Sequence, residues 1–84
     1  MRDKFKNKNG DLTHYALACG YIQKIDISDF SIVLWHEGGP CFHVSMRDNK
    51  NNTRVFWKVF ENLTSARKYW HQTKRNISEL SKMQ

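Results

Sequence analysis

Residues 41–47, CFHVSMR, alternate in period two, and from Thr64 the spacing of apolar residues becomes helical. These two periods restrict the chain to a small set of folds. In the first segment Phe42, Val44 and Met46 point one way, and Cys41, His43, Ser45 and Arg47 the other. That is the pattern of an antiparallel strand buried on one face. In the second, Ala66, Trp70, Thr73, Ile77 and Leu80 share one stripe of a helix, with Tyr69 at its edge. Thr64 is the expected N-cap.

The rest of the chain supplies more strands. Residues 30–36, FSIVLWH, predict one with Phe30, Ile32 and Leu34 on one face and Ser31, Val33 and Trp35 on the other. Residues 38–40, Gly-Gly-Pro, are expected to reverse the chain, and residues 48–52 to form a polar loop. Residues 53–60, TRVFWKVF, predict a further strand: Val55, Trp57 and Val59 share one side, Arg54, Phe56, Lys58 and Phe60 the other. Large side chains occupy both sides, so this strand alone does not assign its core face. Residues 14–25, HYALACGYIQKI, read as a strand, with a short helical turn at 16–18 as the alternative, and residues 26–29 as a turn.

The expected fold class is α+β: two layers, an antiparallel β-meander of three or four strands followed by one C-terminal α-helix packed on one sheet face. Residues 1–11 are expected to be a flexible basic arm, and residues 12–84 a single domain. If the hairpin registers align the sets, the helix covers Phe30, Ile32, Leu34, Phe42, Val44, Met46, Val55, Trp57 and Val59. The open face then shows Trp35, His43, Arg47, Arg54, Phe56 and Lys58.

Size and charge narrow the function. At 84 residues one domain is the sensible count, and its core is thin. A deep cofactor cleft is therefore not expected. With 13% aromatic residues, disorder throughout is not expected either. No apolar run approaches the length of a membrane span, and residues 1–11 carry no apolar stretch resembling a signal peptide. The expected setting is the cytoplasm of a host cell, with Cys19 and Cys41 reduced. The net charge is +6, distributed as +3 over residues 1–8, −1 over 9–63 and +4 over 64–84. Basic ends on a near-neutral middle favour an anionic partner, nucleic acid or an acidic protein surface.

The open face carries the most informative chemistry. Trp35, His43 and Phe56 beside Arg47, Arg54 and Lys58 combine rings that stack on exposed bases with cations that neutralise phosphates. The same aromatics fit a homodimer interface or a seat for the N-terminal arm, and Phe56 and Phe60 fit a core. On the helix, Arg67, His71, Lys74 and Arg75 form a stripe suited to a phosphate backbone, or to solvent. Cys19, His36, Cys41 and His43 are zinc-type ligands, but no CxxC or HxxxH spacing joins them, so no metal or cofactor is expected. No nucleophile–base arrangement or phosphate loop is signalled, so no catalysis is expected.

Two resemblances extend this reading. Phe60, Leu63, Thr64, Ala66 and Trp70 resemble the phrase that opens the C-terminal helix in the arm-type DNA-binding domain of tyrosine recombinases. There the sheet face enters a DNA groove, which implies roles for Arg47, Arg54 and Lys58. The expected extra first strand departs from that family. The phrases HYALACGYIQ, VLWHEGGPCFHV and RVFWKVFENLTSARKYW resemble small stand-alone proteins of phages and mobile elements, of the anti-CRISPR type. That resemblance implies a non-catalytic inhibitor of a host nucleoprotein, such as a CRISPR effector. The alternative is a small DNA-binding accessory protein.

Overall fold

A computed structural model describes residues 4–37, 39 and 41–82, the side chain of Ser81 excepted. Its elements are α1 (His14–Ala18), β1 (Gln23–Ile27), β2 (Phe30–His36), β3 (Phe42–Asp48), β4 (Thr53–Phe60) and α2 (Leu63–Lys82). The strands form one antiparallel sheet in the order β1-β2-β3-β4, and α2 packs across one face of it. This is the expected two-layer α+β meander. No helix among the described residues is long and apolar enough to cross a membrane. Of the turn expected at 38–40, Gly38 and Pro40 lie outside the described residues, as do residues 1–3 of the arm.

The core forms where the two periods meet. Ile32, Leu34, Phe42, Val44 and Met46 from the sheet are buried against Ala66, Trp70 and Ile77 from α2. Each fully buried aliphatic side chain contributes roughly 1.5–3 kcal/mol. The Trp70 indole donates its Nε1–H to the Ile32 carbonyl at 3.2 Å, which satisfies its one polar atom inside the core. Leu80, expected on the buried stripe, is exposed. The reason is length: a 20-residue helix spans about 30 Å, whereas a seven-residue strand covers about 23 Å. The last turns of α2 overrun the sheet.

Three local expectations need correction. Residues 14–25 are not one strand; α1 occupies the first part, as the alternative allowed. Thr13 caps it, its Oγ1 accepting from the Ala16 amide at 3.2 Å. Gly20 ends it with φ +97, and the amides of Gly20 and Tyr21 bond back to the Leu17 and Ala16 carbonyls. That is a Schellman closure, which requires a left-handed residue. β1 then continues to Ile27, and only Ser28 and Asp29 turn, Ser28 with φ 55. The cap of α2 is Asn62, not Thr64: its Oδ1 accepts from the Ser65 amide at 2.8 Å, two residues earlier than expected.

A further correction concerns the faces of β4. Phe56, Lys58 and Phe60 point toward α2, and Val55, Trp57 and Val59 point away from it, the reverse of the expected assignment. The pairs Met46↔Phe56, Val44↔Lys58 and Phe42↔Phe60 decide this, because directly opposed residues share a face. Asp48↔Thr53 and Arg47↔Arg54 start the hairpin in one register, and a bulge at Val55 shifts it. Without the bulge, Trp57 would oppose Val44 and face the core. One extra residue flips every side chain beyond it.

Residues 4–11, expected as an arm, are tied back to the domain. A bridge pairs Lys6 with Leu12, Phe5 packs against the core, and the Asn7 amide donates to the Asp11 carbonyl at 2.8 Å. Asn7 Oδ1 holds the intervening turn by accepting from the Asn9 and Asp11 amides.

Candidate nucleic-acid interface on the open sheet face

The face of the sheet away from α2 is a layer of cross-strand rows. Trp35, His43 and Val59 share one row, Val33, Ser45 and Trp57 the next, and Ser31, Arg47 and Arg54 a further one. Three rings join the first two rows into a platform. Trp35 stacks on His43 at 5.0 Å between centroids and 13° between planes. Trp57 lies 6.2 Å from Trp35 and 5.8 Å from His43. The Trp57 indole donates to His43 Nδ1 at 3.0 Å, so the imidazole is held by both stacking and a hydrogen bond. Trp57 remains 51% exposed, flanked by Val55 at 49% and Val59 at 55%. Val55, Trp57 and Val59 thus expose apolar surface on this face.

Charge is polarised along the platform. At one end Arg54 lies over the Trp57 ring, its guanidinium carbon 5.0 Å from the centroid. Arg47 stands beside it, held by donation to Asn52 Oδ1. At the other end Glu37 accepts from Trp35 Nε1 at 3.3 Å and lies 3.9 Å from His43 Nε2. Four residues separate His43 from Arg47, or about 13 Å along the strand. Arg47 therefore sits beyond the rings, while Arg54 lies against the Trp57 ring.

Among the ten residues expected to bind, Trp35, His43, Arg47 and Arg54 come together on this face. Phe56 and Lys58 do not, because the bulge turns them inward. Phe56 packs edge-on against Tyr69 at 5.5 Å, and Lys58 Nζ sits 5.1 Å over the same ring. The helix stripe is also divided. Arg67 Nη2 donates to the Leu12 carbonyl at 2.7 Å. His71 Nε2 lies 2.9 Å from Asp11 Oδ1, an oxygen that also accepts from Gln23 Nε2 at 2.8 Å. These two residues fasten the N-terminal loop. Lys74 is half-buried over Trp70, and Arg75 is exposed.

Trp57 and Glu37 complete the platform and were not among the expected residues. Trp57 is legible only once the bulge is known. Glu37 follows a strand end and carries no spacing signal. Among the described residues no group of three or more His, Cys, Asp or Glu side chains is placed to hold a metal ion. Cys19 and Cys41 are free thiols.

No protein-family model, no curated protein and no solved structure matches this chain, so its functional reading rests on the geometry of this face.

Proposed function

We propose that the chain is a non-catalytic binding protein that engages single-stranded nucleic acid, free or presented by a host nucleoprotein, on the open sheet face. The observation that carries this reading is the Trp35–His43–Trp57 platform with Arg47 and Arg54 at its end. Indole faces accept bases of any sequence, each stacked base contributing about 1–3 kcal/mol. Arg47 beyond the rings and Arg54 against Trp57 supply the phosphate contacts that make such binding salt-dependent.

The resemblance to anti-CRISPR-type proteins adds a more specific form: a phage or mobile-element inhibitor that occludes the nucleic-acid path of a host effector. The recombinase-like alternative, a sheet inserted in a duplex groove, loses one of its three cations, since Lys58 faces α2. An exposed indole beside a half-buried one also suits unpaired bases better than a groove wall.

The test is a fluorescence titration of labelled single-stranded DNA and RNA oligonucleotides at about 50 and 200 mM salt. The expected result is quenching of tryptophan emission on binding, with affinity falling steeply at the higher salt. Absence of binding to either oligonucleotide at the lower salt rejects direct engagement.

A further inference from the structure

A second basic site lies at the opposite side of the molecule, between the N-terminal loop, the outer edge of β1 and α2. A cleft of about 330 Å³ opens there, lined by Lys6, Lys74, Asn9 and Gln23; Lys24 borders it from β1 but pairs with Val33 and so carries its side chain on the open face. This volume is at the lower end of small-ligand pockets. Its single carboxylate, Asp11, is 5% exposed and already engaged by Gln23 and His71. Among the described residues neither Lys6 nor Lys74 forms an ion pair. Lys24 Nζ is 3.8 Å from Asp26, with both side chains more than half exposed, a contact of little strength. Lys74 Nζ is held at the wall, 5.6 Å over the Trp70 ring.

Asn9, Asp11 and His71 also line a second cleft of about 440 Å³, with Arg67 and Lys68. Four cations, Lys6, Lys74, Arg67 and Lys68, thus line two neighbouring clefts that share one buried, partnered carboxylate. Gathered like charges repel one another unless a counter-charge sits among them. Lysine ammoniums act as strongly hydrated point charges, each with three donors, and suit the several oxygens of a phosphate. A single carboxylate ligand would leave most of that charge unmet.

We propose that this cleft binds phosphate groups of a polyanion, either the phosphodiester backbone of a nucleic acid or a free oligophosphate. The site is separate from the tryptophan platform, and the inference stands whether or not that platform binds bases.

The experiment is an amide NMR titration of the full chain with inorganic tripolyphosphate at low salt. It is repeated on Lys6→Gln/Lys74→Gln, on Lys6→Gln alone and on Trp57→Ala. Lys6 is exposed and Lys74 half-exposed, so these changes are expected to leave the fold intact, as the unliganded spectra check. The expected result is saturable shifts centred on residues 9–12, 22–25 and 70–74. They weaken several-fold in the double variant, less in Lys6→Gln, and stay unchanged in Trp57→Ala. A single-stranded oligonucleotide that displaces tripolyphosphate identifies the backbone as the source, and one that fails to do so identifies a free oligophosphate. The proposal is overturned if the shifts do not saturate, if they spread equally to remote lysines such as Lys50 and Lys58, or if the double variant titrates like the parent.

Discussion

Trp57 donates its indole N–H to Nδ1 of His43 across 3.0 Å, although the two residues do not directly oppose each other in the β3–β4 ladder. Indole is a donor only, so His43 Nδ1 is the acceptor and a neutral His43 carries its proton on Nε2, toward Glu37. This bond exists because the Val55 bulge places Trp57 on the open face.

Deleting Val55 removes the bulge while leaving Arg47↔Arg54 and Met46↔Phe56 paired as they are. The deletion variant is expected to fold cooperatively, with the Nε2–H tautomer of His43 preserved in nitrogen-15 NMR spectra. Deleting Phe56 instead leaves the same unbulged register but puts Val55 opposite Met46 and removes the ring packed on Tyr69, so it is expected to lower stability more than deleting Val55. Loss of the tautomer signal on Val55 deletion would contradict this account of the register.

Trp57→Ala removes the most exposed ring of the platform and leaves the core untouched. It is expected to weaken single-stranded nucleic-acid binding by about 1–3 kcal/mol, with little change in melting temperature. Arg54→Gln is expected to reduce the salt slope by about one unit. Unchanged affinity in both variants would place binding elsewhere.

Asp11 joins three parts of the chain: its own loop, Gln23 of β1 and His71 of α2. Asp11→Ala leaves those donors without their acceptor and is expected to cost about 1.5–3 kcal/mol in urea unfolding. His71→Ala removes only one of the two side-chain partners and is expected to cost less. Equal stability of Asp11→Ala and the parent would show that the loop is not held this way.

Asp48 closes the β3–β4 loop. Its carboxylate accepts from Asn51 Nδ2 at 2.7 Å and from the Lys50 and Asn51 amides. These bonds, the Asn51 side chain first, hold its pKa below 3.8. A carboxyl lowered on folding contributes stability above its unfolded pKa and loses it as pH falls through the folded one. The hairpin is therefore expected to weaken at acid pH below 3.8 in the parent, and Asp48→Asn to flatten that limb of the melting curve. An identical acid limb in both proteins would remove Asp48 from the cause.

Parts of this structure were legible in single segments. The alternation of 41–47 identified β3 and its core face, and the stripe through Ala66, Trp70 and Ile77 identified the seam of α2. Trp35 and His43 were found because β2 and β3 each have one clearly apolar side. β4 has none, since Phe56 and Phe60 are matched by Val55, Trp57 and Val59. The sequence expectation therefore puts Phe56 and Lys58 outside and Trp57 beneath the helix, the reverse of the structure. Arg67 and His71 looked like a free basic stripe, because their partners Leu12 and Asp11 lie 55 and 60 residues away.

The amino-acid order by itself determined the type of β2, β3, β4 and α2 and the direction of each strongly amphipathic segment, while it left α1 open between strand and helical turn. Period and capping are properties of neighbours in the chain, and they act before any tertiary contact. Only the tertiary structure decided which way β4 faces and which cations remain free. A bulge is selected by how well two sides of a strand pack: here Phe56 and Phe60 close on Tyr69 beneath α2. That contact, made across the sheet–helix interface, leaves Trp57 to the surface beside Trp35 and His43.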